Sequence, residues 1–498
     1  MKNIVLLTLL CLSSFAGAVE KPNVLFIAID DLNDWVGPLR GHPQSLTPNL
    51  DKFCKEGSVI FENAVCAAPI CGPSRSAVLS GFMPNRTGVY GNATNMIYSD
   101  LVKTHATLPE YFSKNGYHTL SNGKIFHKHA TEVSVDFGHW AFDTYADSRR
   151  GVKDGPDKKF LTSSSGTIRG ESKPEYKDKA AKLSWGPTKS TFEETVDYRV
   201  ADWARQELSK PSDKPFFMAV GFIKPHLPWF VPKEFFDKFD PETIQLPPVT
   251  DGDLADILTP GGKQAFGPSA DYLWVKKHGL EKDAVRAYLA NIAYVDACLG
   301  IVFDALEKSG KADNTIVMIW GDHGWHLGEK ERYLKNTLWT RAVKPPFFVR
   351  MPGKKGQSYC KAPVSLIDMY PTLISLCGLP EKELDGRDFS PLLSNPDAEW
   401  EYPGVTVSNS GTSVLGKRWH YISYLSGTEE LYDLSKDENE WKNLVREPEY
   451  AEIVAEMRKW VPKERKSIKV PNFKKPPNYV DAEPDPTIKP TRDLQTLK

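Results

Sequence analysis

The sequence carries almost no net charge and little cysteine. Its 63 Lys and Arg residues are balanced by 64 Asp and Glu residues, so we expect no nucleic acid or other polyanion to bind the protein as a whole. An anionic ligand would instead need a local cluster of positive side chains. After the first residues, no apolar run is predicted to cross a bilayer.

The first residues have the pattern of a secretory signal. Lys2 supplies a positive start, Ile4 to Leu12 a short apolar core, and Ala16-Gly17-Ala18 the small residues of a cleavage site. We therefore expect residues 1–18 to be a cleavable signal peptide and the mature protein to be secreted or periplasmic, without a transmembrane anchor. Cys11 leaves a lipoprotein anchor open as an alternative, although the residues before it are not small.

Six cysteines lie beyond that segment: Cys54, Cys66, Cys71, Cys298, Cys360 and Cys377. In an exported protein such residues can form disulfides, but their spacing does not reveal the pairing. If one of the six served another purpose, the remaining five would leave at least one unpaired.

Alternating strand and helix patterns predict an α/β fold. Val24 to Ile29 is a continuous apolar run, typical of a buried parallel strand. Three further runs predict strands, at Tyr117–Ser121, Phe216–Gly221 and Thr315–Trp320. Helical patterns begin near Thr47 and cover Ser74–Leu79, Thr107–Asn115, Phe192–Leu208 and Lys282–Lys308. This order favours a large, mostly parallel sheet flanked by helices.

The pattern changes in two places. Residues 142–190 predict a long irregular excursion, of the kind that is usually functional or disordered. After Pro380, short strand patterns at Gly416–Tyr424 and Glu430–Leu434 predict a small antiparallel sheet, closed by a helix over Pro448–Val461. We expect a catalytic domain over 19–380, a C-terminal subdomain over 381–465, and a Pro/Lys-rich tail over 466–498.

The most specific motif is Cys71-Gly72-Pro73-Ser74-Arg75, followed by Leu79-Ser80-Gly81. It closely resembles the sulfatase signature, Cys-x-Pro-Ser-Arg with a downstream Leu-(Ser/Thr)-Gly. In that family the cysteine is oxidised to formylglycine before folding. The resemblance therefore implies a formylglycine-generating or anaerobic sulfatase-maturating enzyme as a partner. The alternative, a disulfide or metal site shared by Cys66 and Cys71, gives no role to the Pro and Arg.

The chemistry of formylglycine explains the need for it. Its hydrated aldehyde carries two hydroxyls on one carbon: one attacks sulfur, and the other later drives the expulsion of sulfate. An ordinary Ser would form the ester but would lack so easy a release. Arg75 follows Cys71 at i+4, one helical turn away, and is expected to hold the anionic hydrate.

Acidic residues follow two of the predicted strands. Asp30-Asp31 ends the first, and Asp322-His323 follows the strand that ends at Trp320. Such carboxylates meet at one edge of an open α/β sheet, and three of them favour a hard cation such as Ca²⁺. By the resemblance, calcium is held by Asp30, Asp31, Cys71, Asp322 and His323.

Two alternatives to a calcium site stay open. His323, His326 and Glu329 could form a zinc site, or Asp30-Asp31 could simply cap its strand.

Positive and imidazole side chains follow other strands at Lys124, His127 and His226, and Lys335 lies thirteen positions beyond Asp322. The resemblance implies that Lys124, His127, His226 and Lys335 line a sulfate pocket. Lysines can stabilise charge on the bridging oxygen as the S–O bond breaks, and a histidine can protonate it. We expect His226 to be the proton donor, with Lys335 as the alternative, and His127 to attend the formylglycine.

Within the family, the sequence is most similar to iduronate-2-sulfatase and its bacterial relatives. The residues that carry this are Asp30-Asp31-Leu32, Gly123 to His127, Lys224-Pro225-His226-Leu227-Pro228 and Asp322-His323-Gly324-Trp325. The resemblance implies an alkaline-phosphatase-like fold and exo cleavage of sulfate, with a 2-O preference, from a sulfated polysaccharide or its oligosaccharides. Trp325 is a candidate substrate contact, with a core tryptophan as the alternative.

Two other functions compete with this interpretation. A phosphatase or phosphonate hydrolase can share the same fold, but the full signature at Cys71 argues against it. A non-catalytic protein that binds sulfated glycans would need the positive pocket, not the nucleophile and the acids together. The segment Glu430-Leu431-Tyr432-Asp433-Leu434 resembles a C-terminal segment common in bacterial sulfatases and carries no predicted mechanism.

Overall fold

The computed structural model describes residues 21–127, 141–146, 148, 155–164 and 176–468. The predicted signal peptide and nearly all of the predicted tail lie outside these residues. The described residues form fifteen strands: β1 (Asn23–Ile29), β2 (Ser58–Phe61), β3 (His118–Gly123), β4 (Thr144–Ala146), β5 (Thr162–Ser163), β6 (Ser184–Thr188), β7 (Phe216–Phe222), β8 (Trp229–Pro232), β9 (Thr315–Gly321), β10 (Phe347–Arg350), β11 (Ser358–Cys360), β12 (Gly404–Val407), β13 (Gly411–Leu415), β14 (Trp419–Tyr424) and β15 (Glu429–Asp433).

Eight strands form the main sheet, in the order β11-β2-β10-β9-β1-β7-β3-β4. The strands β9, β1, β7, β3 and β4 run parallel, whereas β10 is antiparallel to both β9 and β2. The predicted mostly parallel sheet is therefore confirmed. All of β7 and β9 and nearly all of β1 is buried, which explains why their sequences are continuous apolar runs.

The described helices of the main domain lie at Pro48–Gly57, Cys71–Ser80, Pro84–Thr87, Asp100–Thr104, Leu108–Lys114, Val196–Leu208, Lys233–Phe236, Ala270–His278, Glu281–Lys308, Thr340–Val343, Met369–Leu376 and Ser390–Ser394. A further helix, Ala451–Arg458, packs against the C-terminal strands. The predicted helix over Thr107–Asn115 is capped by Thr107 and Glu110, which bond reciprocally as a capping box. The predicted start at Phe192 is wrong by four residues, because Phe192–Glu194 is a 3-10 turn.

The longest helix, Glu281–Lys308, is long and apolar enough to cross a membrane by length and composition. However, 78% of its most apolar window is buried inside the protein. Its side chains belong to the largest hydrophobic cluster, together with residues of β1, β7 and β9. This burial is what a core helix of the fold requires.

The predicted excursion over 142–190 is more regular than expected where the structure describes it. Strand β4 extends the main sheet beside β3. Strands β5 and β6 pair with each other, and β6 runs parallel to β8. Because β4 and β5 have only three and two residues, their sequences give little periodicity to detect.

The C-terminal strands form a separate antiparallel sheet in the order β12-β13-β14-β15. It lies within the predicted subdomain over 381–465, and we call it the C-terminal sheet. Strand β12 also contacts the main domain, because Val407 donates a backbone hydrogen bond to Ala67 and the Thr406 hydroxyl donates to the Cys66 carbonyl. The segment that leads to Cys71 is thus fixed from this side.

Candidate active site

The acidic residues after β1 and β9 meet at the carboxyl edge of the main sheet. These strands are adjacent and parallel, with Ile29 opposite Gly321, so the residues that follow them are brought together. The amide of Asp31 donates to Asp322 Oδ1 over 3.0 Å. Asp30, Asp31, Asp322 and His323 are all fully buried. Possible ligand atoms of Asp30, Cys71, Asp322 and His323 lie within 4.8 Å of one another, and so do those of Asp30, Asp31, Cys71 and His226, so either set could hold a metal ion.

Cys71 is the first residue of the helix Cys71–Ser80, which we call the nucleophile helix. Its Sγ lies 3.0 Å from Lys335 Nζ, 3.2 Å from His323 Nε2 and 3.7 Å from Asp31 Oδ1. This sulfur stands where an oxygen on the same Cβ would lie in a formylglycine. Any nucleophile at this position therefore lies between a cation and the acidic cluster.

Arg75, one turn along the same helix, is fully buried and holds the acids together. Its Nε donates to Asp322 Oδ2 over 2.7 Å, and a second nitrogen lies 3.6 Å from Asp30 Oδ1. The guanidinium also donates to the carbonyls of Lys124 and Ile125. Arg75 thus orders the acidic cluster, and its predicted contact with a hydrate at Cys71 stays a prediction.

Lys124, Lys335 and His226 form the accessible side of the cluster. Lys124 pairs with Asp30, and Lys335 pairs with Asp31. The imidazole Nε2 of His226 lies 4.0 Å from Asp30 Oδ2 and 3.9 Å from Asp31 Oδ2. These three side chains are 12%, 13% and 31% exposed, against at most 1% for the acids. A ligand would therefore meet the cations and the imidazole first.

The three carboxyl groups of the acidic cluster differ in how readily they ionise. Burial opposes charge on Asp30 and Asp31, but the surrounding cations outweigh it, and the pKa of each lies below its ordinary value. Burial and the negative charge of Asp30 instead raise the pKa of Asp322. Three carboxyls are thus crowded into one buried site where one of them resists ionisation, an arrangement that a divalent cation would relieve.

Burial lowers the pKa of His226 to about 4. The negative charge of Asp31 opposes this shift, and the positive charge of Lys335 adds to it. The imidazole is then neutral near pH 7. An anionic ligand beside it would raise that pKa.

The loop that carries His226 is held by two residues for which the sequence predicted no role. Asp197 accepts hydrogen bonds from the amides of Ile223 and Lys224, each over 2.9 Å. The Lys224 ammonium donates to the carbonyls of His226 and Pro228. Both residues act on the backbone, so nothing in their sequence spacing signals the role.

His127 lies beside the start of the nucleophile helix. A Cβ placed on Gly72 would be 3.5 Å from His127 Cγ, so the imidazole lies beside the residue that follows Cys71; its predicted role at the formylglycine stays a prediction. Asn92 is a neighbour that the sequence did not reveal: its Oδ1 accepts the Gly72 amide over 2.8 Å. Since that amide belongs to the first turn of the helix, Asn92 fixes the position of Cys71.

Trp325 is only 1% exposed. Its ring packs against Trp229, and Lys335 Nζ lies 5.4 Å from its ring centre. This position fits the core alternative, because the buried indole packs against Trp229 and Lys335 and does not present a face to a ligand.

The zinc alternative does not fit the geometry. His326 contacts the Glu329 carbonyl through Nδ1 and the Thr337 hydroxyl through Nε2, so both ring nitrogens are engaged. Glu329 accepts the Leu327 amide and pairs with Arg341. The alternative of a Cys66–Cys71 disulfide fails as well, since both are free thiols, as are the other four described cysteines.

Known proteins match this chain over most of its length. A family model described as Sulfatase matches residues 22–379, and one described as N-sulphoglucosamine sulphohydrolase, C-terminal, matches residues 321–467. A sulfatase of Formosa agariphila is 36% identical over 454 residues, covering 89% of this chain and 87% of its own length. Delta 4,5-hexuronate-2-O-sulfatase of Bacteroides thetaiotaomicron is 30% identical, covering 89% and 88%. Iduronate 2-sulfatase of Mus musculus is 30% identical, covering 73% and 70%.

Solved structures share the fold. A putative sulfatase from Bacteroides thetaiotaomicron matches with a TM-score of 0.65 and 25% identity, over 88% of this chain and 91% of its own. A phosphonate monoester hydrolase from Silicibacter pomeroyi matches with a TM-score of 0.69 over 88% and 94%, but at 19% identity. The second match therefore shows a common fold and nothing about the reaction.

Proposed function

Because this chain belongs to the sulfatase family and is a sulfuric ester hydrolase, we propose that it removes sulfate from a sulfated glycan with a formylglycine made from Cys71 and a bound calcium ion. The observation that carries the proposal is the setting of Cys71. Its side chain lies within 3.7 Å of a lysine, a histidine and a carboxylate, at the edge of the sheet where four strands deliver their functional residues.

The acidic cluster fits a calcium ion. Asp30 Oδ1 and Asp31 Oδ2 are buried and accept no hydrogen bond from the described residues, and such oxygens need a partner. Asp30, Asp31 and Asp322, with His323, would hold the ion. Carboxylate oxygens suit a hard cation better than zinc. Calcium bound there would supply positive charge for the sulfate oxygens.

Formylglycine would supply the hydroxyl that attacks sulfur and, later, the means to expel sulfate without water reaching the ester. The cysteine itself is a poor nucleophile in this setting. Burial and the charge of Asp30 raise the pKa of the Cys71 thiol well above its ordinary value, so the reactive thiolate is scarce at neutral pH.

The other residues divide the remaining tasks. Lys335 and Lys124 stand on the accessible side and would bind the sulfate oxygens and stabilise the charge that develops on them. His226 faces the same opening and is the proposed donor to the leaving sugar oxygen. It would take up its proton when the anionic substrate raises its pKa. His127, beside Gly72, would accept a proton during release.

The names of the relatives support the choice of substrate. Two of them are named for 2-O cleavage of a uronic acid, and the sequence of the His226 loop resembles that group. We take a 2-O-sulfated uronic acid at the end of an oligosaccharide as the substrate, cleaved in exo fashion. The signal-like segment supports an exported enzyme, matured by a formylglycine-forming partner before folding.

The test is sulfate release from a panel of sulfated oligosaccharides by the formylglycine-containing protein. Cys71→Ala and Cys71→Ser serve as inactive controls, and a calcium chelator should abolish release. Phenyl phosphonate monoester is the competing substrate. If it is hydrolysed faster than every sulfate ester, and the Cys71 variants stay active, the proposal is wrong.

A further inference from the structure

The residues between β9 and the helix Thr340–Val343 form one long loop that carries Lys335; we call residues 322–339 the Lys335 loop. Non-glycine residues rarely adopt positive φ, yet Lys330, Glu331 and Asn336 have φ values of 51°, 52° and 67°. Such conformations persist only where the surroundings hold them, and they cluster at functional sites. The loop must therefore be anchored by its neighbours.

The middle of the loop is held through Lys330, which is 2% exposed. Its Nζ donates to Asp253 Oδ1 over 2.7 Å and to the carbonyl of Glu440. The same ammonium lies 5.0 Å from the ring centre of Tyr432 in β15. A buried lysine is thus anchored by Asp253, by Tyr432 of the C-terminal sheet and by the segment that follows this sheet.

The end of the loop is held by the same Glu440 through its side chain. Glu440 Oε2 accepts the amide of Thr340 over 2.9 Å and its hydroxyl over 2.8 Å. One residue earlier, Trp339 Nε1 donates to Glu430 Oε2 in β15 over 2.8 Å. Glu440 is 1% exposed and has a φ of 61°.

Glu440 is in turn fixed by the C-terminal sheet. Its Oε1 is bonded to His420 Nδ1 in β14, and His420 Nε2 lies 2.6 Å from the Ser413 hydroxyl in β13. The order Ser–His–Glu is that of a hydrolytic triad. However, Ser413 and His420 are fully buried, so no substrate reaches the serine and the chain of bonds is structural.

We propose that Lys330 and Glu440 are positioning residues for Lys335, through which the C-terminal sheet clamps the middle and the end of the Lys335 loop. The clamp sets the ammonium of Lys335 between Cys71 and Asp31. It also gives a role to the segment around Glu430 and Tyr432. The proposal rests on the proposed function only for the role of Lys335 in turnover.

Steady-state kinetics on a double-mutant cycle test the clamp. With 4-nitrophenyl sulfate as the probe and the full-length, formylglycine-containing protein, Glu440→Ala and Lys330→Met should each lower kcat about 10- to 100-fold, since small misplacements of a catalytic group have effects of that size. KM should change less, and Glu440→Gln, which can still accept from Thr340, should recover part of the loss. In a Lys335→Ala background the same substitutions should change kcat by less than about twofold.

Arg418→Gln is the matched control. Arg418 pairs with Asp433 within the same sheet, away from the Lys335 loop, so kcat should be unchanged. If Glu440→Ala lowers kcat equally with and without Lys335, it acts on the protein globally and the clamp is wrong.

Amide hydrogen exchange separates a failed clamp from a failed function. The amides of His326 and Asn336 bond to Leu334 and Pro69 and report on the loop. Glu440→Ala should speed their exchange, whereas Arg418→Gln should not. Faster exchange in a protein that releases no sulfate would retain the clamp and reject the function; unchanged exchange would overturn the clamp.

Discussion

At the scale of single residues, the surroundings of Cys71 differ from those of the other five described cysteines. All six described cysteines are buried free thiols, and burial also raises the pKa of Cys54 and Cys66. Among these six, Cys71 is the one that lies against a lysine, a histidine and an aspartate. Its neighbourhood suits a charged oxygen species, such as the hydrate of a formylglycine, better than a neutral thiol.

Conversion of Cys71 is therefore the first prediction. In protein produced with a sulfatase-maturating system, the tryptic peptide with residue 71 should be about 18 Da lighter than its cysteine form, because CH2–SH becomes CHO. Cys66 lies in the same peptide, so fragmentation should place the loss at residue 71. The peptide with Cys298 should keep its mass. An unchanged Cys71 in fully active protein would contradict the formylglycine account.

The second prediction concerns His226 as proton donor. His226→Ala should lower kcat on a 2-O-sulfated sugar roughly 100-fold or more, the range of general acid catalysis. On 4-nitrophenyl sulfate the loss should be much smaller, because nitrophenolate leaves without a proton. His278→Ala, a half-buried histidine packed on Tyr176 and Trp274, is the control. Equal losses on both substrates would assign His226 to binding instead.

At the scale of elements, the ends of the strands and the loops that follow them position the residues of the site. The long buried runs of β1, β7 and β9 could be predicted to within a residue or two, because a continuous apolar run that ends in polar residues is typical of a buried strand. The short strands β2, β10 and β11 could not, since three or four residues show no period. The acids could be predicted because they follow the predictable strands, whereas Lys124 and Lys335 are identified through the resemblance to the sulfatase family. Asn92, Asp197 and Lys330 could not, because each acts on a backbone or loop distant in sequence.

Asp197, which holds the His226 loop, gives a prediction about how the stability of the protein depends on pH. Burial raises the pKa of Asp197 to about 6, above its value of about 3.9 in an unfolded chain. The native state then holds this proton more tightly, so Asp197 favours folding most below about pH 4 and loses that contribution as pH rises to about 6. The free energy of unfolding of the wild type relative to Asp197→Asn should therefore fall across this range, by up to about 1.4 kcal/mol per pH unit, as measured by urea denaturation.

Asp313→Asn, at an exposed site, is the control and should follow the wild type at every pH. If the Asp197→Asn difference were constant from pH 4 to 7, the carboxyl would not be buried against the Ile223 and Lys224 amides as described.

At the scale of the whole molecule, the two sheets form one catalytic unit. The main sheet delivers Asp30, Lys124, His226 and Asp322, and the C-terminal sheet holds the loop that delivers Lys335. The predicted boundary near 380 describes the chain order, whereas the contacts of Glu440 and Thr406 cross it. Sequence spacing alone could not show this, because it carries no distance between segments a hundred residues apart.

The calcium ion proposed for the acidic cluster should stabilise the fold as well as support activity. A ligand at 100 times its dissociation constant adds about 2.7 kcal/mol to the free energy of unfolding, so calcium should raise the melting temperature and a chelator should lower it. Asp322→Asn should lose this response. His326→Ala should keep it, because His326 is engaged by Thr337 and Glu329; loss of the response in this variant would favour the zinc alternative.

The most direct test of the central claim is sulfate release from an unsaturated 2-O-sulfated uronic acid disaccharide. Formylglycine-containing protein should release sulfate with calcium present, and Cys71→Ala prepared in the same way should release none. Release by wild type that is lost in Cys71→Ala is the predicted result. Equal release by both proteins, or hydrolysis of phosphonate esters in place of every sulfate ester, would contradict the account.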